Sequence, residues 1–390
     1  MAAGERKLQV RLTTGEGFRF QQIKGGLSIM ENYSIHLPAY TIGPDAYARL
    51  AAVCGPYGKT AVIIGGHRAM EAAADAIEGA AGKEIMILGR FWYGGECSYE
   101  NAAALAEKPE VQKAELLFAV GGGKAMDTVK ALAHQLGKPV FTFPTIASNC
   151  AATTAVSIMY REDSVFKGPY FFEAPPVHAF IQTRIIAAAP KKYMWAGVGD
   201  TYAKYYEASL SSRGEDLSHY FGLGVQVSRM CVDPILEKGE KALADNEAGI
   251  ASKELEQVVL AIVVTTGIAS ILLTAEHTVD YNSGLAHAIF YALTAYPQIE
   301  KQHLHGEVVG FGILVLLLTD GQRDEFERVY AFHRRTGLPV CIADIDISPD
   351  ELKEVIPVIT GMGDIKHWPY PVTEQMLTEA FDELECHVKE

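Results

Sequence analysis

The chain has no C-x-x-C pair, no low-complexity tract and no internal repeat. Its six cysteines, Cys54, Cys97, Cys150, Cys231, Cys341 and Cys386, are scattered along 390 residues. That spacing argues against a cysteine zinc site and a disulfide framework, and it fits a reducing compartment. Residues Met1–Phe20 mix charges with single apolar residues and lack the apolar stretch of a secretory signal, so a cytoplasmic protein is expected. Excess positive charge is also missing. A formal net charge of −14 speaks against nucleic acid or an anionic membrane as partner and leaves a small-molecule substrate. Long apolar runs are scarce. Val258–Ala275 is uncharged over 18 residues, but Thr265, Thr266, Gly267, Ser270 and Thr274 interrupt it and Glu256 and Glu276 flank it. It reads as a core helix rather than a membrane span.

What is present is ordinary globular composition, with 49% hydrophobic and 21% charged residues and a length that suits about two domains. The first half alternates short β-rich runs with amphipathic helices. Strands are expected at Tyr33–Leu37, Lys59–Ile64, Lys83–Leu88, Leu116–Val120 and Val140–Phe143. Helices are expected at Arg68–Gly79, within Ala102–Ala114 and at Lys124–Leu136. This pattern predicts an α/β, Rossmann-like parallel sheet. After about Thr183 long helical periodicities take over, at Met194–Ser211, Gly222–Lys241, Glu247–Leu273, Ser283–Tyr296, Gly306–Leu318 and Asp324–Thr336. The expected division is an extension over 1–29, an α/β dinucleotide-binding domain over 30–183 and an all-helical metal and substrate domain over 184–390.

Gly121, Gly122 and Gly123 stand where a buried strand meets a helix. Glycines there let backbone amides approach a phosphate, and they also serve any tight turn. The run is neither a P-loop, since Ala125 follows Lys124, nor a full G-x-G-x-x-G, since Met126 occupies the third glycine position. The segment Gly121-Gly122-Gly123-Lys124-Ala125-Met126-Asp127-Thr128-Val129-Lys130 resembles the GGGKxxDxxK signature of the iron-containing alcohol dehydrogenase and glycerol dehydrogenase superfamily. The resemblance implies a dehydroquinate synthase-like fold. It also implies a cofactor diphosphate at Gly121, Gly122 and Gly123, with Lys124 and Asp127 in the same signature. A PTIAST-type loop is expected near the nicotinamide, here carrying Thr145 and Ser148.

Two imidazoles and a carboxylate can hold zinc or ferrous iron with one position open. Asp200 in Ala196-Gly197-Val198-Gly199-Asp200, His287 in Ala286-His287-Ala288-Ile289 and His305 in His305-Gly306-Glu307 offer such a set. On spacing alone, Asp200 suits a helix cap equally well. Their contexts and order resemble the metal ligands of glycerol dehydrogenases, which implies that Asp200, His287 and His305 are the ligands. The iron branch places a histidine four residues after the aspartate. Here that residue is Lys204, so zinc is expected over iron. His303 and His277 read as structural. The implied chemistry is hydride exchange between a carbinol carbon and nicotinamide C4, with the metal lowering the hydroxyl pKa. The family is usually oligomeric, so a homo-oligomer is expected.

Three positions depart from the glycerol dehydrogenase pattern. Cys150 replaces a substrate-holding Asp, Phe290 and Tyr291 replace a polar pair, and Lys204 shares a helix face with Asp200. A hydroxycarboxylate dehydrogenase branch is similar in its Cys and Lys. The substrate is therefore either a small alcohol or polyol, or a 2-hydroxycarboxylate whose charge Lys204 would meet. The strand before His67 ends without an acid, and Arg68 follows, which favours NADP over NAD, with Arg68 as a plain surface residue the other reading. Two further functions are possible on this scaffold: a non-redox cyclase like dehydroquinate synthase, and a cofactor-binding protein without turnover.

Overall fold

The computed structural model describes residues 32–163 and 165–388. The extension expected over 1–29 lies outside them. Residues Ile35–Glu390 form one compact unit. Its strands are β1 (Tyr40–Gly43), β2 (Thr60–Gly65), β3 (Met86–Trp92), β4 (Leu116–Gly121), β5 (Val140–Pro144), β6 (Val156–Tyr160), β7 (Phe166–Phe171) and β8 (His178–Gln182). Six of them build a parallel sheet in the order β1-β8-β5-β4-β2-β3, and β6 and β7 form a separate antiparallel pair.

Alternation along β2 and β4 fixes both faces of this sheet. Ile63, Phe118 and Val120 meet Ala73, Ala74 and Ile77 of the helix His67–Ala81. Val62, Ile64, Leu117 and Ala119 meet Val129 and Leu132 of the helix Gly123–Leu136 on the other side. The chain leaves β2 and β4, neighbours in the sheet, toward opposite faces. The crevice between the two helix starts is where open α/β sheets bind ligands.

Two sequence expectations fail here. Tyr33–Leu37 is not a strand; the first strand starts at Tyr40, beyond Pro38, and Tyr33 and Leu37 are exposed. The third strand is Met86–Trp92 rather than Lys83–Leu88, because Gly82, with φ +57°, ends the preceding helix and a turn follows.

Beyond β8 the described residues carry no further strand. The helix His305–Thr319 is buried almost throughout, and an all-round apolar helix needs neighbours on every side. It packs against Lys191–Ser211, Leu285–Leu293, Arg323–Thr336 and Glu374–His387. The expected helix Gly222–Lys241 is two helices, His219–Ser228 and Asp233–Glu247, split by a 3-10 turn ahead of Pro234. The uncharged run forms the end of the helix Lys253–Leu273, which has the length and apolarity of a span but whose most apolar window is 72% buried inside the protein. Its middle, Leu260–Thr265, is π-helical. There the Thr153 hydroxyl donates to the Val263 carbonyl, tying the loop after β5 to this helix.

Candidate metal centre and nucleotide cleft

Glycines bring the ligand-bearing helices together. A Cβ on Gly199 would lie 2.1 Å from the Gly306 carbonyl oxygen, and one on Gly306 would lie 2.1 Å from the Ala196 oxygen and 2.9 Å from Asp200 Cβ. The helices Lys191–Ser211 and His305–Thr319 therefore meet backbone to backbone. Gly312 repeats the device, since its Cβ would lie 2.8 Å from Ala286 Cα, beside His287.

This packing makes three separated residues converge. The ligand atoms of Asp200, His287 and His305 all lie within 4.8 Å of one another. His305 Nε2 is 3.5 Å and His287 Nε2 3.7 Å from Asp200 Oδ1. Burial alone would raise the Asp200 pKa. The His305 hydrogen bond and the charges of His305, His287 and Lys204 outweigh it and bring the carboxyl down to about 2. His287 is buried while the His305 side chain is 43% exposed, so the cluster opens on the His305 side. Two imidazoles with one ionised carboxylate fit a divalent zinc or iron ion with an open position.

Glu207 was not singled out from the sequence. Its Oε1 accepts the His287 backbone N–H at 2.9 Å and its Oε2 lies 2.6 Å from His287 Nδ1. Burial pulls the His287 pKa down, but the Glu207 charge and hydrogen bond more than reverse that. The available signal was Glu207's place seven residues after Asp200, two turns along one helix face.

Lys204 comes one turn after Asp200 and is buried. Its ammonium donates to the Asn282 backbone carbonyl and, at 3.0 Å, to Asn282 Oδ1. Cys150 is near enough for the Asp200 charge to act on it. Burial first, then that charge, pushes its thiol up to about 12, so it is a neutral group. Phe290 stands edge-on to His305 with ring centroids 4.4 Å apart. His303 is held by Glu307 at 2.8 Å and Asp346 at 3.1 Å, and His277 stacks on Phe171, away from the cluster.

In the cleft, Gly121 has φ +147°, and a Cβ on Gly122 would lie 2.6 Å from Ile146 Cδ1. No side chain caps the helix beginning at Gly123, so its first amides remain available to an anion. The helix His67–Ala81 is likewise uncapped, with exposed Arg68 in its first turn. Lys124 pairs with Glu96 at 2.7 Å and lies over the Tyr160 ring. Thr145 is buried and its amide donates to the Gly121 carbonyl at 3.1 Å. Ser148 is half-buried, and its loop is docked so closely that a Cβ on Gly197 would lie 2.4 Å from the Ala147 oxygen and 3.1 Å from Ser148 Cα. The nucleotide loop thus touches the helix that carries Asp200.

Asp127, grouped with the glycine turn in the sequence, points elsewhere. Its carboxylate pairs with Lys130 at 2.8 Å and accepts the Ile158 amide at 3.1 Å. Lys130 in turn donates to Thr154 Oγ1 and the Val156 carbonyl. The two residues latch the β6–β7 hairpin onto the helix, which is a structural task rather than a cofactor contact.

A parallel sheet with a glycine-lined crevice, followed by helices that gather an imidazole–carboxylate cluster, is the architecture of glycerol dehydrogenases. A probable glycerol dehydrogenase from Sinorhizobium meliloti superposes with a TM-score of 0.77 at 26% identity, covering 92% of this chain and 99% of that one. Residues 38–179 match the iron-containing alcohol dehydrogenase family. A glycerol dehydrogenase of Escherichia coli O6:H1 is 31% identical over 319 residues, 80% of this chain and 84% of its own length. Hydroxycarboxylate dehydrogenase A of Escherichia coli K12 is 32% identical over 334 residues, 83% of this chain and 89% of its own length. The chain belongs to the iron-containing alcohol dehydrogenase and glycerol dehydrogenase superfamily, and is an oxidoreductase of the alcohol and polyol dehydrogenase type.

Proposed function

We propose that this protein is a divalent-metal-dependent, NAD(P)-linked dehydrogenase whose substrate is a small 2-hydroxycarboxylate, or the 2-oxo acid in reverse. The observation that carries this reading is Lys204, a buried ammonium one turn from Asp200 that contacts only the neutral oxygens of Asn282. A buried cation without a carboxylate is incompletely compensated, and a substrate carboxylate would complete it. Cys150 contributes no negative charge to oppose that anion, and the Phe290 ring beside His305 limits water. A polyol would leave the Lys204 charge unmatched.

Asp200, His287 and His305 would hold the ion, which when bound acts as a Lewis acid on the substrate oxygen. Zinc is favoured over iron because Lys204 stands where a further histidine would sit. The amides at Gly121, Gly122 and Gly123 would take the diphosphate, and the loop with Thr145 and Ser148 would line the nicotinamide. A hydride leaves the carbinol carbon for nicotinamide C4 while the hydroxyl proton is released to solvent. NADP is favoured because Arg68 has no ion-pair partner and no acid ends β2. A cytoplasmic homo-oligomer with small-molecule partners only is the expected setting.

The test follows NADH and NADPH absorbance with the full chain and zinc ion against 2-oxo acids and against glycerol, simple diols and their ketones, with Asp200→Ala as control. Lys204→Met removes a charge-assisted contact worth about 1.5–3 kcal/mol, so turnover on the oxo acids should fall roughly 10–100-fold. Preference for glycerol in the wild type, unaltered by Lys204→Met, would refute the carboxylate reading. Cofactor binding with no turnover on either panel would refute the dehydrogenase.

A further inference from the structure

We propose that Glu207 is the positioning residue that sets the metal affinity of this site by acting through His287. The proposal rests on the reading of Asp200, His287 and His305 as a metal site. Glu207 is buried, and both its oxygens are spent on one residue: Oε1 on the His287 backbone N–H at 2.9 Å and Oε2 on Nδ1 at 2.6 Å. A carboxylate on Nδ1 requires the proton to reside there, which leaves the Nε2 lone pair for a ligand. Nε2 is the atom that faces Asp200, 3.7 Å from Oδ1.

The second contact fixes direction as well as tautomer. His287 is the third residue of the helix Leu285–Leu293, so its amide is one of the donors with no partner inside the helix. Glu207 supplies that partner from a different helix and pins ring and backbone together. A Cβ on Gly284 would lie 3.2 Å from Glu207 Cβ and Cγ, so the helix start is pressed against this side chain. Lys204, between Asp200 and Glu207 on the helix, is held by Asn282 and forms no ion pair with Glu207. The Glu207 charge is therefore directed at the imidazole. Outer carboxylates that orient a ligating histidine commonly change metal affinity by about 10–100-fold.

The variant Glu207→Gln keeps shape and can still accept from Nδ1 or from the backbone amide, but its NH2 group cannot serve the other. Competition with a chromophoric chelator gives the zinc affinity of the full chain, and thermal unfolding of the metal-free protein gives its stability. The expected result is a zinc Kd raised roughly 10–100-fold with a metal-free Tm near wild type. In a His287→Ala background the same substitution should leave the Kd unchanged, because the residue through which it acts has gone. Glu207→Asp, which withdraws the carboxylate by one carbon, should weaken binding in the same direction and serves if Glu207→Gln does not fold. Unchanged zinc affinity in the folded variant, or an equal loss in the His287→Ala background, overturns the assignment of Glu207 alone. A wild-type chain that binds no zinc overturns the metal site and this inference with it.

Discussion

Gly306→Ala tests whether close helix approach is what assembles the metal site. The added Cβ would lie 2.1 Å from the Ala196 carbonyl oxygen and 2.9 Å from Asp200 Cβ. Ordinary contact between heavy atoms is about 3.5 Å, so the helices His305–Thr319 and Lys191–Ser211 must part by roughly 1 Å or more. Overpacking of this kind costs about 1–3 kcal/mol, which a chain of this size tolerates. Metal ligation is less forgiving, since ligand distances hold to about ±0.2 Å. The shift also acts beside both ligands, because Gly306 follows His305 and its Cβ faces Asp200. Zinc affinity should fall by at least about tenfold while Tm drops by a few degrees and the circular dichroism spectrum is retained. Chelator competition and thermal unfolding on the same preparation check this. Wild-type zinc affinity with a lowered Tm would show that the glycine contact serves packing alone.

Three further outcomes are expected. Arg68→Ser should lower the NADPH-to-NADH ratio of kcat/KM by about tenfold or more, since a charge-assisted contact contributes about 1.5–3 kcal/mol; an unchanged ratio removes Arg68 from cofactor choice. Lys130→Met leaves the Asp127 carboxylate buried without its partner, which should cost about 3–5 kcal/mol in urea unfolding. Adding Asp127→Asn should recover part of that loss, and a cost under about 1 kcal/mol for the single change would contradict the latch. His333 is buried, and burial holds its pKa down at about 4 against an ordinary 6.5. As pH falls below 6.5 the unfolded chain takes the proton first, so stability is intact above 6.5 and declines toward 4, by up to roughly 1.4 kcal/mol per pH unit. The Tm gap between wild type and His333→Gln should narrow over that window, and a constant gap would reject the linkage.

Legibility in the sequence followed how local each signal was. β2, β4 and the helix after the glycine turn were readable because continuous apolar runs end at glycines. The β6–β7 hairpin was not, since β7 reads FKGPYF, with a glycine and a proline inside a mostly exposed strand. β8 is five residues long and follows Pro175-Pro176, so no periodicity could develop. Expected helices were broken where Pro109 and Pro234 open new ones. The closing helices Pro349–Thr360 and Glu374–His387 were passed over, although each has an N-cap hydroxyl. Asp200, His287 and His305 were named from the contexts around them, and the structure brings those three together. Glu207 was missed because its role depends on a residue eighty positions away. Asp127 was drawn into the cofactor group by its neighbours in the motif, whereas its carboxylate faces the hairpin.

The π-helical turn at Leu260–Thr265 has a consequence for how this chain can change in length. A π turn holds one residue more than an α turn, and here it presents the Val263 carbonyl to Thr153. Losing a single residue from that turn would restore α geometry and rotate everything after it by about 100° relative to what precedes. Leu272 and Leu273, which lie against Gly224, would swing away from that contact. Substitutions should be well tolerated along this helix and single-residue deletions poorly, so the segment acts as a length gauge between the loop that follows β5 and the helices behind the metal cluster.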